Sequence, residues 1–327
     1  MTGSSTWSQP LHAGLAQLLE ALTNDCSKLI DDTALLHRLS ELTTLLQSEG
    51  TLPLERTDPS LSLDQALLLT ATARNLLGSV RSMGGYRLGG ETAAGLSEAL
   101  ESLYLQLGAA LRREEARRVR GLYVIIDPEV TGGRDPLDIA RGAVQGGAKM
   151  LQLRDKLRDK GESLPLALSL QQLCQANDVL LIINDHVDLA AAVGSGGVHV
   201  GQTDLPIAQA RQVLAPHQVL GRSNREFEQL VESKEMGADH VAFGPIYQSG
   251  TKSTGRQPQG TQRLRRARAL AKVPLVAIGG INAENVAPVV EAGADAICVT
   301  AAVGAAADPE AAASRLVKAI RDAGGKV

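Results

Sequence analysis

The chain has few aromatic residues, few cysteines and no long apolar run. Phe, Trp and Tyr make up only 2% of its 327 residues. That scarcity argues against a surface on which successive bases stack on rings. The formal net charge is -3, so there is no bulk attraction to nucleic acid or to an anionic membrane. Neither is expected as a partner. Three cysteines, Cys26, Cys174 and Cys298, are widely separated and show no metal-binding spacing. They suit a reducing compartment in which thiols pack as small apolar groups. No stretch reaches the ~20 apolar residues that span a bilayer. The first seven residues do not lead from a basic region into an apolar one, so no targeting leader is expected. A soluble cytoplasmic protein is the resulting expectation. The apolar share of 44% is enough for a sizeable core, and the length allows one large domain or two unequal ones.

Two unlike halves follow from the patterning. Up to about residue 118 the chain reads as helical, with almost no strand signal. Ile30, Leu35, Leu39, Leu42 and Leu46 recur at helical spacing, as do Leu96, Leu100, Leu103, Leu107 and Leu111. Ser62 and Gln65 have the spacing of a capping box. Breaks are expected at Gly50 to Pro53, at Pro59 and at the glycine-rich run from Met83 to Gly90. That run has no preceding strand and no following Lys-Ser/Thr, so it reads as a helix connection, not a phosphate loop. The mixed-sign run Arg112 to Arg120 reads as a solvated helix end joining two domains.

From Gly121 onward, short apolar runs alternate with amphipathic ones. Strands are expected at 122–127, 148–154, 179–184, 197–200, 218–222, 240–243, 274–278 and 296–299, with helical stretches such as 136–146, 162–176, 206–214, 225–236, 261–271 and 283–292 between them. Eight such units in about 207 residues predict an α/β fold, a closed (β/α)8 TIM barrel preceded by a smaller all-α domain, with the division at 118/119. An open doubly wound sheet fits less well, because no G-x-G-x-x-G follows the first strand.

In such barrels the loops after the strands build the active site, and the unusual polar residues collect there. Strand two closes with Gln152, Arg154 and Lys156, which alternate onto one side and invite an anion, because unpaired interior charge is costly. Strand three ends at Asn184, Asp185 and His186. Strand four leads to Asp204, strand five to Ser223, strand six to Ser249, Gly250, Thr251 and Lys252, strand seven to Gly279 and Gly280, and strand eight to Thr300 and Ala301. Asp185 and Asp204 follow adjacent strands and could share a hard cation such as Mg²⁺. Either could instead cap the next helix. His186 and His199 raise the thought of zinc, but no third nitrogen or sulfur ligand accompanies them. Gly279 and Gly280 could admit an anion or simply form a tight turn.

Taken together, these motifs resemble the thiamine-phosphate synthase family. They are Gln152 to Lys156, Ile183 to His186, Gly197 to Asp204, Gly221 to Ser223, Gly244 to Lys252 and Ala277 to Ile281. Their order and spacing cover nearly all of 121–327 and leave 1–120 outside. The resemblance implies transfer of a pyrimidine from its diphosphate to a thiazole phosphate, with release of pyrophosphate. By that pattern Gln152, Leu153, Arg154, Asp155, Lys156, Asn184, Ser223 and Lys252 hold the pyrimidine diphosphate. Asp185 and Asp204 hold Mg²⁺. Ser249, Gly250, Thr251, Gly280, Thr300 and Ala301 hold the thiazole phosphate. Arg154, Lys156, Lys252 and Ser223 are the implied catalytic residues. Two departures stand out: Ser249 replaces the family's usual Thr with the hydroxyl retained, and Asn224-Arg225 replaces a frequent Thr-His. A thiazole tautomerase sharing the barrel, or a phosphate-ligand sensor, are the rival readings. The helical half could serve as an interaction, regulatory or homo-oligomerisation module.

Overall fold

The computed structural model describes residues 8–47, 61–82, 89–248 and 257–327. The chain divides into two compact units, Met1–Leu111 and Arg112–Val327.

The first unit is helical among its described residues: α1 Ser8–Cys26, α2 Thr33–Gln47, α3 Leu63–Ser82 and the start of α4 Gly90–Ala116. The expected leucine stripe of α4 is buried at Leu96, Leu100, Leu103, Leu107 and Leu111, against Leu15, Leu19, Leu22, Leu39 and Leu77. Each fully buried leucine contributes about 1.5–3 kcal/mol. The capping box of α3 is formed: Gln65 Oε1 accepts from Ser62 N at 2.9 Å, and Ser62 Oγ accepts from Gln65 N at 3.3 Å. Ile30 lies ahead of α2, although its spacing groups it with Leu35, because Asp32 starts the helix by accepting from Leu35 N at 2.9 Å. The expected breaks at Gly50 to Pro53 and Pro59 lie outside the described residues, as does most of the glycine-rich run.

In the second unit eight parallel strands close in sequence order, β1 to β8. They are β1 Gly121–Ile126, β2 Met150–Leu153, β3 Leu180–Asn184, β4 Gly197–Val200, β5 Val219–Asn224, β6 His240–Phe243, β7 Leu275–Ile278 and β8 Ala296–Val299. The helices around them are α5 Pro136–Gln145, α6 Lys160–Ala176, α7 Val187–Val193, α8 Ile207–Val213, α9 Phe227–Glu235, α10 Gly260–Leu270, α11 Ala287–Glu291, α12 Ala301–Gly304 and α13 Pro309–Asp322. The strands read as continuous apolar runs because both faces are buried. Leu122, Val124, Leu151, Leu153, Leu181 and Ile183 face the helices. Tyr123, Ile125, Met150, Leu180, Ile182, Val276 and Cys298 fill the interior.

The segment 112–120 is more than a solvated linker. Arg112 pairs with Asp239 at 3.1 Å and donates to the carbonyl of Pro216. Val119 is buried among the interior residues of the barrel. Arg118 bridges Glu115 and Asp178 at 2.7 and 2.9 Å. After β7 the helix begins at Ala287, later than the apolar pattern predicts. Asn282 Oδ1 accepts from the amides of Glu284 and Asn285, which makes a separate turn first, and Pro288 then favours a helix start.

Candidate functional site

The strand ends bring the sequence-predicted polar residues to one rim of the barrel. Gln152, on β2, is buried and donates to Tyr123 Oη at 2.6 Å inside the barrel. Burial pushes the Tyr123 hydroxyl well above the ordinary phenol value, so it stays protonated. Past the end of β2, the amide of Arg154 still bonds to Ile126 O at 3.0 Å, which carries the strand geometry one residue further.

Neither cation of the motif stands alone. Arg154 donates to the buried carboxylate of Asp127 and approaches Glu129 at 3.4 Å. Lys156 Nζ donates to Asp185 Oδ2 at 2.6 Å. Asp127 and Glu129, in the loop after β1, were not singled out in the sequence. Asp127 reads there as the end of a strand, and nothing local announces a partner 27 residues away.

Two members of the motif point elsewhere. Leu153 packs toward the helices in the outer core. Asp155 is buried, and its carboxylate accepts from the amides of Leu157 and Arg158, from Arg158 Nε at 2.7 Å and from Ser163 Oγ at 2.8 Å. It organises the loop from within.

Asp185 and Asp204 come within hydrogen-bonding reach of each other. Neither caps a helix: α7 and α8 start without a side-chain cap, at His186 and Pro206. Asp185 instead adopts a left-handed φ of 60°, a conformation that costs a non-glycine residue about 1 kcal/mol or more. Burial would raise its carboxyl, but the bonds from Lys156 and Asp204 and the Lys156 charge outweigh it and hold the value below the carboxylate range. Asp204 shifts the other way. Burial and the neighbouring Asp185 raise it, although Gly201 N donates to Oδ2 at 2.6 Å. The pair thus behaves as two carboxylates competing for one proton, which a divalent cation would relieve. Among the described residues no group of three or more His, Cys, Asp or Glu side chains gathers as a metal cluster.

Ser223, on β5, meets His199 Nε2 at 2.9 Å, and His199 Nδ1 faces His240 Nε2 at 3.4 Å. Burial lowers the His199 imidazole to about 4 and carries His240 well below its ordinary value. His199 is therefore a buried, neutral imidazole with a hydrogen-bonding neighbour at each ring nitrogen. Asn224 is fixed by Ser233 Oγ at 2.6 Å and by its own bond to Arg222 O at 2.8 Å, so the loop beside Ser223 is braced internally.

Gly279 and Gly280 have φ of 104° and 67°. A Cβ at Gly280 would lie 2.4 Å from Gln248 O, and one at Gly279 would lie 2.5 Å from Pro245 Cβ. Both glycines therefore let the loops after β6 and β7 meet. Asn285 Nδ2 holds the carbonyl of Gly280 at 2.9 Å. Thr300 precedes α12 and Ala301 begins it. Asn184 closes β3. Ser249, Gly250, Thr251 and Lys252 lie outside the described residues. The helical unit holds a separate cavity of about 420 Å³ lined by Arg74, Asn75, Ser97, Glu101 and Tyr104. Its arginine is paired with Glu101 and lies 4.4 Å above the Tyr104 ring.

Comparison with known proteins picks out the barrel unit. The family model described as thiamine monophosphate synthase matches residues 122–303. A thiamine-phosphate synthase of Shouchella clausii is 40% identical over 202 residues, which is 62% of this chain and 97% of that protein. One from Moorella thermoacetica is 41% identical over 205 residues, covering 63% and 98%. Among solved structures, a thiamine phosphate pyrophosphorylase from Pyrococcus furiosus superposes with a TM-score of 0.59 at 33% identity, over 64% of this chain and 99% of that one.

Proposed function

The chain belongs to the thiamine monophosphate synthase family, and we propose that its barrel joins 4-amino-2-methyl-5-(diphosphooxymethyl)pyrimidine to 4-methyl-5-(2-phosphooxyethyl)thiazole, giving thiamine phosphate and pyrophosphate. The observation that carries this reading is the rim cluster in which Lys156 donates to Asp185 and Asp185 lies beside Asp204.

The chemistry asks for little acid-base work. The bond between the pyrimidine methylene carbon and the diphosphate oxygen breaks, and the electron pair leaves with pyrophosphate. The 4-amino lone pair steadies the resulting cation. The thiazole nitrogen then supplies the pair for the new C–N bond and has no proton to lose. The protein must hold two substrates in line and neutralise departing charge. Arg154, Lys156, Ser223 and Lys252 are the residues proposed to do so. Gln152 and Asn184 are proposed to contact the pyrimidine diphosphate with them. Gly280, Thr300 and Ala301, with Ser249, Gly250 and Thr251, are proposed for the thiazole phosphate.

Asp185 and Asp204 fit a divalent cation: two hard oxygen donors, crowded enough to contest one proton. Mg²⁺ is the ion proposed. When bound, it would offset charge on the diphosphate oxygens. Three buried free thiols, Cys26, Cys174 and Cys298, and the phosphorylated substrates support a cytoplasmic setting. No helix among the described residues is long and apolar enough to cross a membrane. The test is direct. Full-length protein supplied with both substrates and Mg²⁺ should release pyrophosphate in step with thiamine phosphate, and neither substrate alone should suffice. Absence of pyrophosphate release with both present would sink the reading.

A further inference from the structure

The barrel interior holds two imidazoles that this reaction does not use. His199 on β4 and His240 on β6 are both buried. The register sets Asn184, His199, Gly221 and His240 side by side on consecutive strands. Gly221 opens the space between the rings. A Cβ there would lie 2.0 Å from His240 Nε2 and 2.5 Å from His199 Nδ1. Through that gap the two ring nitrogens approach to 3.4 Å, and on its other side His199 Nε2 meets Ser223 Oγ at 2.9 Å. Side chains from three strands thus form one chain that ends at the rim.

A chain of neutral imidazoles has a direction, because each ring carries one N–H and one bare nitrogen. The far end fixes it. His240 Nδ1 is buried and has no hydrogen-bond partner among the described residues. With its proton there, the ring would bury an N–H without an acceptor, a rarer defect than a bare acceptor atom. The proton therefore belongs on His240 Nε2, which donates to His199 Nδ1. His199 in turn carries its proton on Nε2 and donates to Ser223 Oγ. The serine oxygen is then an acceptor toward the interior, and its own proton must point away from His199.

We propose that His199 and His240 are positioning residues that turn the Ser223 hydroxyl proton outward, as a donor to the diphosphate oxygens of the substrate. The opposite chain would present serine lone pairs to an anion and repel it. The identity of the anion rests on the synthase reading above; the direction of the chain rests on the interior alone.

Histidine tautomers are read directly by long-range ¹H–¹⁵N spectra of the full-length protein labelled with ¹⁵N-histidine, recorded without substrate. His199→Gln and His240→Gln assign the two rings. Both are expected as Nε2–H tautomers at neutral pH. A proton on His199 Nδ1, or a doubly protonated ring, overturns the proposal. Kinetics supply the second arm. His199→Leu removes the donor to Ser223 and should lower kcat about tenfold or more with little change in KM, since the lost contact acts on departing charge. His199→Gln, whose amide can still donate, should recover most of it. Adding Ser223→Ala to His199→Leu should cost nothing further. A fully active His199→Leu protein, or losses that multiply in the double variant, also overturns it. If His199→Leu fails to fold, the wild-type spectrum still decides. A wild-type spectrum as expected, in a protein that makes no thiamine phosphate, removes the synthase reading and leaves the chain direction standing.

Discussion

Lys156 Nζ donates to Asp185 Oδ2 at 2.6 Å, so the cation offered to an anion is already paired with a carboxylate offered to a metal. The two halves of the site neutralise each other until ligands arrive. On the proposed roles, a bound anion and a bound metal would have to separate this pair together.

The two motif cations, Arg154 and Lys156, are already engaged by the carboxylates of Asp127, Glu129 and Asp185, with Asp204 beside the last. Inorganic pyrophosphate is therefore expected to bind weakly with EDTA present and at least about tenfold more tightly with Mg²⁺, about 1.4 kcal/mol. Titration calorimetry measures both. In the Asp185→Ala, Asp204→Ala double variant the Mg²⁺ effect should vanish and pyrophosphate release should fall about 10²–10³-fold. Full activity in that variant would refute the metal assignment.

The buried histidines should make stability depend on pH. His199 titrates at about 4 when folded, against an ordinary 6.5, so the unfolded chain binds the extra proton first as pH falls. The stability gained by keeping the ring neutral is complete above pH 6.5 and is lost down to about pH 4. His240 shifts in the same direction. Between pH 7 and pH 5 the loss from His199 is about 2 kcal/mol. Urea unfolding at the two pH values measures it, and His199→Gln should flatten the difference.

Arg154 should show separable duties. Arg154→Met leaves the buried Asp127 carboxylate without its guanidinium and should destabilise the protein by about 1–3 kcal/mol as well as slow the reaction. Adding Asp127→Asn removes the stranded charge. Stability should then return while activity stays low. Thermal melts set beside pyrophosphate release distinguish the two effects; recovery of both would show that Arg154 matters only to folding.

The start of the barrel unit can be located by shortening the chain. A fragment from Arg112 keeps the pair with Asp239 and the buried Val119. A fragment from Gly121 loses both. The first should melt higher, by about 2–4 kcal/mol of stability, mostly from the interior valine and the ion pair. Equal melting temperatures would show that these residues add nothing to the barrel.

The barrel was legible because its strands are short apolar runs separated by turn residues. Seven of the eight expected strands end within one residue of the observed ones; β5 ends two residues later, because Asn224 still pairs with Phe243. The polar strand ends were legible where one motif held the residues, as with Arg154 and Lys156 just past β2. The site was not legible where pairing crosses strands. Asp127 with Arg154 and His199 with His240 are 27 and 41 residues apart, and only barrel closure makes them neighbours. The run at 112–120 misled for a different reason. Its charges suggested a solvated surface, while its two apolar residues turn inward: Val119 is buried in the interior and Ala116 packs partly buried against it.

Asp155 lies between the two cations of the motif and faces neither of them. Its four internal hydrogen bonds leave it nothing to offer a ligand. A survey of activity-damaging substitutions would nonetheless rank it beside Arg154 and Lys156, since loosening it would let both wander. Tolerance of the loop to change is thus governed by a side chain that never meets what the loop recognises.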